Sequence, residues 1–555
     1  MLRPTFLAFE TAKRSLQVSQ AGLDIVGHNI ANVKTPGYTR QRVDQVSLSS
    51  GGYALKYQIF GGGSQFAGQG AMMNGISQIR DPYLDTRYRN EAAAFGELAT
   101  KSTGLTDLQN MLDEISTDGL HAELGKFIGQ IRELGRSPDS KELAVVVRNM
   151  ASSIAQMLNK SSSDLQGVLD QQKFDLNVAI TDSVNSTIKQ IAFLNTKIRE
   201  DHIYGNPSNE LMDERNLLID QLSEFLPIKV IRTPEKISDD RIIERVSIQM
   251  VDNSASPPAS FDLISNGTFN QLKVNEQPDQ TISISLLEGA SGFPLRDDIT
   301  GNITKGAIKG YLDIINGKGD FAAYGENTYR GVPYYQQAMD TFAARFAELM
   351  NQTNSISVQE AAGKSQVYEY NNKNLFTALG GGQITAANIQ ISSDWLNDPH
   401  FLTTSKMDPS LPEQDKDKDG NLLFDNAGNP VMVVRGNSDN VNKFLELLEG
   451  PHSFPIVNGS GDTITLFTGS FQEYLVSKQS DVGLDKKLND TLLTASETLI
   501  GGFTDQRDAI SAVSVDEEAI NMMTYQNYYN AAARYMTTLD EALGTIIERM
   551  GVVGR

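Results

Sequence analysis

Residues 514–550 read SVDEEAINMMTYQNYYNAAARYMTTLDEALGTIIERM, with Met522, Tyr525, Tyr529, Ala532, Met536, Leu539, Leu543, Ile546 and Met550 at alternating spacings of three and four. At 3.6 residues per turn these side chains form one continuous seam along a helix. Ser514 followed by Glu517 is a capping-box pattern, and Asp516, Glu517 and Glu518 put negative charge at the positive end of the helix dipole. The head of the chain repeats the device: Leu2, Phe9, Leu16, Leu23 and Ile30 recur every seven residues, each of the middle three followed three positions on by Ala12, Ser19 or Val26. A seam must be buried, and the simplest partner for one terminal seam is the other, as a parallel or antiparallel pair that closes the chain head to tail. Gly22 and Gly27 each cost the first helix about 1 kcal/mol relative to Ala. The ends are therefore predicted to be weakly ordered in a free monomer and to order on packing against copies or a partner. The Met and Tyr side chains of the C-terminal seam would give that contact an adaptable surface.

The first helix is predicted to stop at Asn32-Val33-Lys34-Thr35-Pro36-Gly37-Tyr38. Proline presets the first central position of a type II turn, glycine supplies the positive φ of the second, and Thr35 before proline is pushed out of the helical region. The block NIANVKTPGYTRQ, Asn29 to Gln41, resembles the N-terminal signature of the flagellar rod, hook and hook-associated axial proteins. Val515-Asp516-Glu517-Glu518 through Tyr525-Gln526, with Tyr528 to Arg534, resembles the matching C-terminal signature. The form TPGYTRQ, the VDEE start and the chain length point to the hook-associated members. So do Asn209-Glu210-Leu211-Met212-Asp213-Glu214-Arg215 and Gly436-Asn437-Ser438-Asp439-Asn440. His28 and Ser514 stand where the family often has Asn, and residues 356–470 resemble it only loosely. The resemblance implies a structural adaptor and not an enzyme, secreted unfolded by the flagellar type III apparatus to the hook–filament junction, where both terminal helices lie in the inner layer of a tube. Its implied partners are further copies in a ring or helical assembly, the hook protein, a second junction protein on the filament side, and an export chaperone. A hook or rod subunit is the nearer alternative; an extracellular carbohydrate-active or binding protein is the more distant one.

Composition agrees with a protein-binding role. The chain has 555 residues and a net charge of −21, so nucleic acid and anionic membrane surfaces would repel it. Zero cysteines exclude disulfides and thiolate chemistry. No stretch approaches the roughly 18 apolar residues of a membrane span. The N-terminus lacks an apolar core followed by a small-residue cleavage site, so export would proceed without a cleaved signal peptide.

The fold class read from the interior is mainly α with appended β. Residues 1–45 and 509–555 form the stem, a coiled-coil pair of the N- and C-terminal helices, and 46–80 are a Gly-rich connector. Residues 81–355, completed by 471–508, form a long helical-bundle domain from both chain halves, with a β part near 228–330; 356–470 are an outer β-rich insert projecting to solvent. Ser137-Pro138-Asp139 is predicted to start a helix of about 100 Å that runs without proline to Pro207. Its partners are the helices predicted at 210–225, 333–354 and 471–508. Alternation in Val246–Met250 and Thr281–Ile284 marks antiparallel strands.

Chemistry finds little support. The histidines, His28, His121, His202, His400 and His452, form no metal-binding pattern, and no G-x-S-x-G elbow occurs. Gly63 and Gly68 have phosphate-loop spacing, but Gln69-Gly70 stand where Lys and Ser/Thr are needed. Asp415, Asp417 and Asp419 before Gly420 match the first positions of a calcium loop, yet the twelfth is Asn426 and nearby prolines disfavour flanking helices. A polar hairpin loop competes with a weak calcium site there, and no other cofactor is implied.

Overall fold

The structure, a computed structural model, describes residues 5–47, 70–116, 119–205, 208–238, 241–265, 267–355, 357–359, 367–369, 373–404, 413–414, 432–433 and 438–550. It is mainly helical, with small antiparallel sheets. The terminal helices α1 (Thr5–Ala31) and α12 (Val515–Met550) pack along each other. Between them the chain forms a ribbon of β1 (Gln41–Ser47) and β2 (Ala71–Gln78), then α2 (Pro82–Ser116), α3 (Leu120–Arg136), α4 (Lys141–Val178), α5 (Asn185–Tyr204) and α6 (Asn209–Phe225). A six-stranded antiparallel meander follows: β3 (Ile228–Ser238), β4 (Arg241–Asp252), β5 (Ala259–Ser265), β6 (Thr268–Glu276), β7 (Ile282–Glu288) and β8 (Pro294–Arg296). Then come α7 (Ala307–Asn316) and α8 (Val332–Asn354).

The insert holds short hairpins: β9 (Ser357–Gln359) with β10 (Val367–Glu369), β11 (Phe376–Ala378) with β12 (Ile389–Ile391), and β13 (Glu413–Gln414) with β14 (Met432–Val433). Helices α9 (Ser393–Asn397) and α10 (Asp439–Glu449) and the hairpin β15 (His452–Val457) and β16 (Thr463–Gly469) complete it. Helix α11 (Phe471–Ser511) leads back to α12.

The long helix is continuous from Lys141 to Tyr204, with a π-turn at Ala179–Val184. Its buried positions Gln172, Leu176, Ile180, Val184 and Ile188 advance in steps of four. On an α-helix each such step drifts about 40° round the axis, and the wider π-turn takes up that drift and keeps the apolar face on the core. Asn185, at its end, exchanges two hydrogen bonds with the backbone of Leu272, both 2.8 Å, which docks the sheet on the helix. The helix starts three residues later than the Pro138 pattern predicts. Ser140 is the N-cap, its hydroxyl accepting from the Leu143 N–H, while Ser137 ends α3.

Three further differences have physical causes. Residues 41–47 and 71–78 pair as strands, across the end of the span read as stem (1–45) and the span read as connector (46–80); Gly75 and weak alternation hide the second strand. Helix α7 lies inside the span read as β, a ten-residue helix between Gly306 and Gly317 with no side-chain cap to announce it. The described part of the insert is built into the helical domain: Leu375, Phe376, Trp395, Phe401, Val441, Phe444 and Phe454 are buried in the main core. There Phe342 and Phe346 of α8 meet Phe471 of α11, all at centroid distances of 5.5 to 6.2 Å. Phe376 packs on Phe346 at 5.1 Å and on Trp395 at 5.8 Å, and Phe454 on Tyr474 at 4.4 Å. The hydroxyl of Tyr474 donates to the Ala338 carbonyl, so the ring is buried with its polar end satisfied.

Candidate assembly interface

The stem is antiparallel. Gly22 lies against Tyr525, and Asn29, seven residues on, bonds Glu518, seven residues back. The buried line of α1 runs through Ala8, Ala12, Ser19, Gly22, Val26 and Asn29, mostly small residues. A Cβ at Gly22 would stand 2.5 Å from the Tyr525 ring, so this glycine is the recess that receives the tyrosine. Its helix-propensity cost is offset by close approach of the two backbones.

The structure accordingly shifts the seam from the one the heptad of large residues marks. Phe9, Leu16, Leu23 and Ile30 are half-buried beside the contact line, while Leu2 lies outside the described residues. On α12, Tyr525, Met536, Leu539 and Leu543 are half-buried and Ala532 is buried against α1. Met522 and Tyr529 are exposed, and the side chains of Ile546 and Met550 lie outside the described residues. Small side chains win the inner line because they let the helices approach; bulky ones fit at its margins and beyond.

Helix α12 is apolar well past the side α1 covers. Ile520 and Met523 point away from α1, Tyr528 and Tyr535 flank one side, and Val515, Met522, Tyr529 and Ile547 the other; all are exposed, Met523 and Tyr528 each at 58%. Large apolar side chains exposed in a group, here interspersed with polar Asn527, Asn530 and Arg534, mark a surface that another element ordinarily covers.

Where the stem meets the helical domain, three sequence blocks converge. The Thr35–Tyr38 turn closes with a Tyr38 N–H to Thr35 carbonyl bond of 3.2 Å, and Gly37 has φ +77°, as the type II signature requires. Asn29, 1% exposed, is the hub: its side-chain oxygen accepts from the Tyr38 hydroxyl and the Gln41 N–H, and its amide donates to the Gln41 carbonyl and to Glu518. Arg40 donates from Nη1 to Glu517 at 2.6 Å and from Nε to the buried Glu518 at 2.7 Å. Its own backbone N–H donates to the Ser511 carbonyl at the end of α11, and its carbonyl accepts from Ile79. Ser514 caps α12 with a 3.4 Å bond from the Glu517 N–H, but the Glu517 carboxylate is spent on Arg40, so only half of the predicted capping box forms.

The start of α6 supplies the third block. Glu210 accepts from Gln41 and pairs with His28; Asp213 accepts from the Thr39 N–H; Asn209 donates to Gln41 and its carbonyl accepts from Gln78. Burial raises the Glu210 carboxyl, but backbone bonding, Gln41 and His28 outweigh it and hold the group below its ordinary value. At Asp213 burial wins and the carboxyl is pushed up; its second oxygen is buried without a hydrogen-bond partner among the described residues. Beneath lies an ionic cluster. Arg80 forks onto Asp85 at 2.6 and 3.0 Å, Arg89 and Arg507 hold Asp220 at 2.6 and 2.8 Å, and Arg507 covers the Tyr88 ring. It ties α2, α6 and α11 together. Burial acts to raise Asp85, yet the bond and charge of Arg80, with Arg89 and Arg507, keep it depressed.

Nothing in these blocks, taken as sequence, assigns Asn29, Arg40, Glu210, Asp213 or Glu518 a contact. Their signal is present as polar positions inside motif blocks, but no local feature says which block meets which. Asp415, Asp417 and Asp419 lie outside the described residues, bracketed by the β13–β14 pair. Among the described residues no cluster of three or more His, Cys, Asp or Glu could hold a metal, and no helix is long and apolar enough to cross a membrane.

Comparison with known proteins gives the same direction throughout. Residues 105–365 match the family described as flagellar hook-associated protein FlgK helical domain, and residues 506–549 match flagellar basal body rod FlgEFG protein C-terminal. Flagellar hook-associated protein 1 of Bacillus subtilis is 27% identical over 560 residues, covering 99% of both chains. That of Escherichia coli is 24% identical, covering 97% of this chain and 98% of that protein. The structure of the flagellar hook junction protein FlgK from Burkholderia pseudomallei shares the fold, with a TM-score of 0.53 at 12% identity over 77% of this chain and all of that one. Over nearly its whole length the chain is thus similar to flagellar hook-associated protein 1, and its middle part matches the FlgK helical domain.

Proposed function

We propose that this chain is a non-enzymatic adaptor at the junction of flagellar hook and filament, held in place by the outer face of its paired terminal helices. Further copies of the chain in a ring or helical array are the first partners, the hook protein and a second junction protein the next, and an export chaperone guards the same apolar surface before assembly. Export through the flagellar type III apparatus without a cleaved signal belongs to this reading. The observation that carries it is the set of exposed methionine, tyrosine and isoleucine side chains on α12 that α1 leaves uncovered. Head-to-tail contacts between identical subunits generate open arrays rather than closed dimers, which suits an axial part.

The test is a pair of charges introduced on the outer face, Met523→Glu with Tyr528→Glu. Both side chains are solvent-exposed in the free chain, so thermal stability should change by no more than about 0.5 kcal/mol. Incorporation at the hook end should be lost, leaving hooks without filaments and flagellin shed into the medium. Normal filaments on cells carrying the double variant would refute the reading.

A further inference from the structure

Helices α11 and α12 are separated by a non-helical break, Ala512 to Ser514, and the first helix leaves the stem through the turn at Thr35–Tyr38. The α11–α12 connection is a short joint, and the other runs through this turn and the β1–β2 ribbon before α2, so the contacts made there set how the stem sits on the domain. Arg40 spans both connections. Its backbone N–H holds the last residue of α11, its carbonyl holds Ile79 ahead of α2, and its guanidinium holds Glu517 and Glu518 in the first turn of α12. Glu518 is 1% exposed and is also bonded by Asn29, whose side chain fixes the turn on both edges.

We infer that Arg40 is a positioning residue, a latch that sets the angle between the stem and the helical domain. A guanidinium suits this role because its planar fork reaches two carboxylates in fixed directions, where a lysine would be a single swivelling point. The acceptors come from the far end of the sequence, 477 and 478 residues away. The latch therefore closes only when the C-terminal segment is docked against the N-terminal one. The consequence for assembly rests on the stem being the gripped element; the angle itself is a property of the free chain.

Because the chain has no cysteine, spin-label pairs can be placed without background. Gln526→Cys on the stem with Thr103→Cys on α2 reports the angle. Gln17→Cys with Asn530→Cys reports whether the stem stays zipped. In full-length protein the first pair should give one narrow distance distribution. Arg40→Ala should broaden or split it while leaving the second pair unchanged, and Arg40→Lys should restore it only in part. An unaltered stem-to-domain distribution in Arg40→Ala would overturn the latch whatever the assembly assays show. Loss of the stem distance in the second pair would also overturn it, since Arg40 would then hold the stem together rather than aim it.

Discussion

The helical domain and the stem use apolar side chains in opposite ways. In the domain the largest rings, Trp395, Tyr334, Tyr335, Tyr474, Phe342, Phe346 and Phe471, are fully buried. In the stem the buried line is Ala8, Ala12, Gly22, Val26 and Ala532, with the polar Ser19, Asn29 and Glu518, while tyrosines and methionines of α12 face outward. The domain closes its own core around these rings, although Phe174, Phe193, Tyr204 and Leu484, Leu488, Leu492 and Leu499 of α11 remain exposed. The stem places mostly small residues on its innermost line, large ones such as Tyr525 and Leu539 at its margins, and others such as Met523 and Tyr528 on a surface that one chain leaves uncovered.

That contrast predicts a ranking of substitutions. Phe346→Ala removes a ring packed against Phe127, Phe342, Phe376 and Phe471, so denaturant unfolding of the domain should lose about 3–5 kcal/mol. An outward tyrosine in the stem should cost far less; equal costs would break the distinction. Gly22→Ala forces a methyl into the Tyr525 ring and should cost roughly 1–3 kcal/mol of overpacking, visible as faster amide exchange along α1 and α12 with the domain unaffected. A smaller effect concerns pH. Asp85 is depressed in the folded chain, so its stabilising contribution is complete above its unfolded value of about 3.9 and is lost as pH falls through the folded one. Acid melts should therefore loosen the joint below about pH 4, and Asp85→Asn should flatten that limb. Asp213, being raised, acts with the opposite sign: its contribution is present at low pH and lost as pH rises through the raised value.

Much of the helical frame was legible because long periodic runs constrain themselves. The 137–207 span, the helices at 210–225, 333–354 and 471–508, and the antiparallel pairing near 228–285 all follow from period and proline placement. The stem pairing was legible for the same reason, but its inner line was not. On α1 both the heptad of Phe9, Leu16, Leu23 and Ile30 and the line of Ala8, Ala12, Ser19 and Gly22 satisfy helical spacing, and hydrophobicity favours the wrong one. Close packing of backbones is a property of the pair, and one strand of sequence does not carry it. The joint was hidden for a stronger reason: Asn29 and Glu518 are 489 residues apart, and Thr39 and Asp213 are 174. The insert's burial was hidden because its apolar residues sit singly in polar loops, where no period marks them as core.

The outward face of the stem is tested most directly by oxidative footprinting of Met523, which is 58% exposed in the free chain. Peroxide treatment of isolated monomer should convert it readily to the sulfoxide, and the same treatment of intact hook–filament structures should leave it protected by the neighbouring subunits. Equal oxidation in both states would contradict the stem as the surface through which copies hold one another.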